Sequence, residues 1–219
     1  MKKWIEAGIL FSVLFLPNYI QSINVEAEMF NSPIYNLMLL VYSLPQILLI
    51  LYIISLKPEI ETRRFGTVNL RFKDIALALL IFTGIYFLLL PVSFLLSLLE
   101  GKNNSLLYNP IRWQFSETRL IPLVFLSCLS IGYREELFFR SYLLTQFKLS
   151  EISMPAGIII STLLFASGHV YQGLSGFAIT GIIGLYFSII FLKTENLHQI
   201  AIAHGLFNFT TLVLSLVRR

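Results

Sequence analysis

The chain has 219 residues, 56% of them hydrophobic and only 13% charged, against about 25% charged in an ordinary soluble domain. With a mean hydropathy of +0.77, it carries more apolar surface than a water-soluble fold can use, because helices in water need a polar face. The net charge of +4 fits basic flanks that anchor helices against anionic lipid, so the lipid bilayer is the expected partner and no nucleic acid is. One cysteine, Cys128, excludes an intramolecular disulfide and any paired-cysteine metal motif.

In chain order, the first apolar segment, 4–22, follows Lys2 and Lys3 and is interrupted by Glu6 and Pro17. Val25-Glu26-Ala27 is a weak match to a small-x-small cleavage site, and retention of the segment is the expectation. Segments 34–56 and 74–99 are long enough to cross a hydrocarbon core of about 30 Å, with kinks expected at Pro45 and Pro91. Segments 118–148, 152–171, 173–193 and 196–217 complete the set. The expected fold is all-α, a polytopic transmembrane helix bundle of about seven helices (six to eight). It forms a single integral membrane domain over 1–219, since the connections are too short to house a soluble one. Lys57, Arg63, Arg64, Arg71 and Lys73 make the 57–73 loop the most basic, which places it in the cytoplasm and the N-terminus with it. Seven crossings leave Arg218 and Arg219 on the outer side, against that rule, hence the range in helix number.

Ionisable residues inside apolar segments are the informative ones, since each costs about 2.5–3.5 kcal/mol at a helix centre. Segment 118–148 holds four: Arg134, Glu135, Glu136 and Arg140. They could form a buried ion-pair knot that only fixes packing. Spacing separates their roles. Glu136 and Arg140, four apart, share a face and can pair. Glu135 is turned by about 100° and has Phe138 and Phe139, not a base, at the positions it could reach. One carboxylate is therefore expected to be neutralised and its neighbour left available as a proton acceptor. All three histidines lie in the last 51 residues. His169 follows Phe165 by four, and His204 precedes Asn208 by four, so each pair shares a helix face. His198 opens the last segment beside Lys193 and Glu195 and reads as interfacial. A carboxylate pair and two histidines on three separate helices are hard to assign to packing alone.

Glu135-Glu136-x-x-x-Arg140, then Phe165-x-x-x-His169, then His204-x-x-x-Asn208, resembles the three motifs of the CPBP family. These are the CAAX protease and bacteriocin-processing membrane peptidases, including type II CAAX prenyl endopeptidases and Abi-like proteins. The likeness covers a core of about 120–215. Each motif alone is weak, but the three in order, each on its own helix, are a strong signal. The resemblance implies an intramembrane endopeptidase. Glu135 would activate the attacking water with His169 helping to hold it. His204 and Asn208 would stabilise the oxyanion, Glu136 and Arg140 would brace the site, and Phe165 would pack beside His169. It also implies a peptide or protein substrate, prenylated or membrane-associated. No cofactor is favoured; if a metal is present, Glu135, His169 and His204 would be its ligands, the donor types of a catalytic zinc site.

Two rival readings are weighed against this one. A non-catalytic membrane protein, such as a bacteriocin-immunity or partner-binding factor, would leave the motifs as packing. A small transporter would use Glu135 and the histidines as a proton relay, but the chain has no detectable repeat pair of the kind many transporters carry.

Overall fold

The structure, a computed structural model, describes residues 2–17, 26–57, 65–99 and 113–217. The end of the first apolar segment, part of the cleavage site at 25–27, and the basic residues Arg63, Arg64, Arg218 and Arg219 lie outside them. The described residues hold seven helices and no strand: α1 (Lys2–Leu14), α2 (Pro33–Ser55), α3 (Phe72–Leu99), α4, α5 (Met154–Ser167), α6 (Gly173–Thr194) and α7 (Leu197–Val213). Helix α4 begins as Ile121–Glu136, continues as a π-helix over Leu137–Leu144, and ends in one α-helical stretch, Thr145–Leu149. The helices follow the seven apolar segments, and α2 and α3 run on through Pro45 and Pro91.

Four of the helical stretches are long and apolar enough to cross a membrane: Pro33–Ser55, Phe72–Val92, Val170–Thr194 and Leu197–Leu216. The chain is thus a multi-pass membrane protein. Helices α2 and α3 send Leu48, Leu80 and Phe87 outward, each about two-thirds exposed, as a surface solvated by hydrocarbon requires. Helix α5 differs. Its 14 residues reach about 21 Å, short of the hydrocarbon core. Helical geometry ends at Ser167 and the chain passes through a 3-10 turn, Val170–Gln172, before α6. Non-helical backbone at membrane depth is tolerated where it lines a cavity, and here it does.

Two contacts decide how the bundle closes around that cavity. The first joins α4 to α7 through small residues. A Cβ on Gly132 would stand 2.7 Å from the Ala201 carbonyl oxygen and 2.8 Å from the Gly205 nitrogen, and one on Gly205 would stand 2.8 Å from the Leu129 Cα. Only glycine allows the backbones this close, a common device for packing helices in lipid. The second ties the start of α3 to the α6–α7 junction. The buried Asp74 carboxylate accepts from the Arg71 backbone N–H, Asn196 Nδ2 and Gln199 Nε2, each at 2.9 Å. Asn196 also caps α7, its side-chain oxygen accepting from the His198 N–H at 3.0 Å.

Helix α1 lies against the π-helical part of α4 through long side chains. Phe15 packs on Phe138 and Phe139 with centroids 4.9 and 4.8 Å apart. Glu6, an interruption in the apolar pattern, accepts from Lys57 Nζ at 2.7 Å and from the Tyr142 hydroxyl at 2.5 Å. A carboxylate in an apolar segment needs such partners, and these two lie on separate parts of the chain.

Candidate active site

Helix α4 contributes the acids. Glu136 Oε1 accepts from Arg140 Nη1 at 3.0 Å, and both side chains are fully buried, the pairing the four-residue spacing predicts. Arg140 leaves Nε and Nη2 without hydrogen-bond partners. Its guanidinium instead lies 4.3 Å from the Phe165 ring centre, with Phe139 and Phe187 at 5.8 and 5.9 Å. Aromatic faces are the remaining favourable surroundings for a buried cation. Phe165 thus packs against Arg140 as well as against His169, whose ring centre is 5.1 Å away.

The glycine contact between α4 and α7 carries His204 onto the acids. Its Nδ1 is 2.7 Å from Glu136 Oε1, and a carboxylate can only accept, so Nδ1 carries a hydrogen. Its Nε2 faces Glu135 Oε2 at 3.7 Å, longer than a direct hydrogen bond. His204 therefore lies between the two carboxylates. Glu136, paired with Arg140 as the spacing predicts, also holds His204 through the same oxygen.

His169 arrives from another direction. It sits just past the end of α5, with its backbone N–H on the Ala166 carbonyl at 2.9 Å, and not on a helix as the sequence suggests. The one-face relation to Phe165 survives in another form. His169 Nδ1 lies 3.1 Å from the Phe165 carbonyl oxygen, which fixes the hydrogen on Nδ1 and leaves Nε2 as an acceptor.

The expectation that Glu135 has no basic partner is corrected. Arg134 Nη2 donates to Glu135 Oε1 at 3.0 Å. Adjacent side chains on a helix do not face each other, so the spacing gave no hint of it. Arg134 Nη1 in turn donates to Gln46 Oε1 on α2 at 3.4 Å. Gln46 is the residue the motifs do not point to; its signal is an amide in the middle of the apolar run of 34–56, which holds a second amide, Asn36, near its start. His198 stands apart from this group. Its Nε2–H donates to the Val68 carbonyl at 2.7 Å, and its Nδ1 accepts from the Tyr133 hydroxyl at 2.8 Å.

Glu135, His169, His204 and Asn208 all line one cavity of about 910 Å³, with Arg134 and Gln46 on its wall. Glu136 and Arg140 lie behind it, and Phe165 lines it. Glu135, His169 and His204 are zinc-type donors, yet no three His, Cys, Asp or Glu side chains among the described residues converge closely enough to hold a metal ion. The donor types fit a zinc site and their placement does not. What the arrangement offers is a carboxylate oxygen, an acceptor imidazole nitrogen, a histidine between two acids and an amide, all facing one largely apolar space.

Residues 117–210, from just before α4 into α7, match a family model described as type II CAAX prenyl endopeptidase Rce1-like. No curated protein and no solved structure matches the chain. The match takes in Glu135, Glu136, Arg140, Phe165, His169, His204 and Asn208 and leaves α1, α2 and α3 outside. The stretch that carries these seven residues is accordingly similar to Rce1-like type II CAAX prenyl endopeptidases of the CPBP family, over less than half of the chain.

Proposed function

We propose that the chain is an intramembrane endopeptidase that hydrolyses a peptide bond with water activated by Glu135. Residues 1–219 act as one integral membrane domain of the cell membrane, with 120–215 as its catalytic core and the N-terminus in the cytoplasm. The observation that carries this reading is the meeting of Glu135, His169, His204 and Asn208 on one cavity wall, from three separated stretches of chain.

Glu135 takes a proton from a water that His169 Nε2 helps to hold, and the water oxygen attacks the scissile carbonyl carbon. Charge then develops on the carbonyl oxygen. Asn208 Nδ2 and His204 donate to it, the kind of preorganised stabilisation that is strongest where water is excluded. Because His204 gives its Nδ1 hydrogen to Glu136, donation from Nε2 uses the doubly protonated ring, and Glu135 and Glu136 flank its charge. Collapse of the intermediate breaks the carbon–nitrogen bond, and the proton on Glu135 passes to the departing amine. Arg140 and Glu136 hold His204 in place from behind. The substrate is a peptide or protein that reaches the site from or along the membrane.

The test is comparative peptidomics of membranes carrying the native chain or Glu135→Ala, with His169→Ala as a second variant. The expected result is a set of cleavage products present only with the native chain, while both variants still insert. Identical peptide profiles would overturn the proposal and favour a partner-binding role. Cleavage that persists in a chelated, metal-analysed preparation fits the residue-only mechanism; loss restored by zinc would overturn it.

A further inference from the structure

We infer that Arg134 and Gln46 are positioning residues for Glu135, so that α2, outside the family match, sets the direction of the attacking carboxylate. This rests on the reading of Glu135 as the residue that activates water.

The bond between Arg134 and Glu135 is not one that a helix supplies. Neighbouring side chains diverge by about 100°, and neither would turn toward the other without a partner outside the helix. For Arg134 that partner is Gln46 on α2. One arm of its guanidinium donates to Gln46 Oε1 at 3.4 Å and the other to Glu135 Oε1 at 3.0 Å. The guanidinium carbon stands 5.6 Å from the ring centre of Phe15, beyond the end of α1. The planar fork is thus oriented from two elements other than its own, and a rigid fork passes its orientation to whatever it binds.

The consequence falls on the free oxygen of Glu135. Arg134 occupies Oε1, which leaves Oε2 turned toward His204, 3.7 Å away. A carboxylate without that anchor can rotate and exchange its oxygens; held by Arg134, it presents one oxygen in one direction. Charge balance alone would not require Gln46, since Arg134 and Glu135 already neutralise each other. Gln46 is neutral, sits between Pro45 and Ile47 in the middle of α2, and lines the same cavity as Arg134 and Glu135. Gln46 gives the guanidinium a second acceptor on the arm that Glu135 does not use, so the fork is held from both sides.

The experiment compares membranes holding the native chain, Glu135→Ala, Arg134→Ala, Arg134→Lys and Gln46→Leu, reading the rate of appearance of the cleavage products in the same peptidomic assay. Insertion and thermal midpoint are measured for each. Arg134→Ala is expected to slow release about 100-fold, the scale on which small misplacements act, and Gln46→Leu about tenfold. Guanidinium at a non-denaturing concentration should restore much of the Arg134→Ala rate and none of the Glu135→Ala rate. Arg134→Lys, which keeps the charge without the fork, should remain well below the native rate. Rescue by free guanidinium is something a merely structural role would not show. Native rates in folded Arg134→Ala and Gln46→Leu would overturn the inference while leaving the peptidase reading intact, and so would a folded Arg134→Ala that guanidinium cannot rescue. If Arg134→Ala fails to insert, Gln46→Leu decides alone. A Glu135→Ala profile identical to the native one removes the peptidase reading, and the positioning role falls with it.

Discussion

The helices before residue 117 and those after it use polar residues differently. After 117, charged and polar side chains gather with one another: Glu136 with Arg140 and His204, Arg134 with Glu135. Before it, α2 and α3 are largely apolar, and Leu48, Leu80 and Phe87 face outward. Three of the polar exceptions there reach across to the other half. Glu6 accepts from Tyr142, Gln46 from Arg134, and Asp74 from Asn196 and Gln199. In a bilayer a polar group needs a partner. Glu6, Gln46 and Asp74 therefore mark places where that half is joined to the second. The first half carries no motif, yet it is fastened to the motif-bearing half at these points and at others, among them the Tyr86–Thr210 hydroxyl pair at 2.6 Å.

This contrast can be broken experimentally. The largest effect is expected at Glu135. Glu135→Gln keeps the shape, removes the base and should lower cleavage by about 10²- to 10⁴-fold, measured as product release from membranes at equal protein. Arg140→Ala should follow, chiefly through stability. It leaves Glu136 buried without its cation, a change of about 3–5 kcal/mol, read as a lower thermal midpoint in detergent and lost cleavage; a native midpoint would show that the pair is not needed. Gly205→Ala crowds the α4–α7 contact and should cost about 1–3 kcal/mol, with activity falling more than stability because it moves His204 against the acids. Asp74→Ala strips Asn196 and Gln199 of their acceptor and should cost a similar amount, about 1–3 kcal/mol. Its cleavage rate per folded molecule should stay near native, and a large drop would mean that the α3 tie also shapes the site. The smallest effect belongs to the lipid-facing surface, where Leu80→Ala should change stability by no more than about 0.5 kcal/mol and leave cleavage unaltered.

What the sequence revealed follows the same division. Apolar length marked the helices, and four-residue spacing revealed the Glu136–Arg140 pair, because both signals are local. The bond from Arg134 to Glu135 was hidden because it depends on Gln46, 88 residues away. His169 was read as helical because Val170 and Tyr171 continue the apolar run. The helix ends before it at Gly168, and the left-handed Gly173 (φ 78°) closes the 3-10 turn that follows. The π-helix over Leu137–Leu144 carried no sequence mark, as every side chain in it is buried and α and π forms share the same apolar pattern. Such stretches recur at functional sites, and this one begins right after the two acids.

The contact between Gly132 and Gly205 has a meaning beyond packing. It sets the distance between acid and histidine by what both helices lack. A side chain can be trimmed to bring groups closer, but glycine has nothing left to trim, so α4 and α7 stand at the nearest approach their backbones permit. Any substitution there can only push Glu135, Glu136 and His204 apart. The site lies at a limit of adjustment, open to change in one direction alone, and variation in what it cuts must be sought in the cavity's other walls.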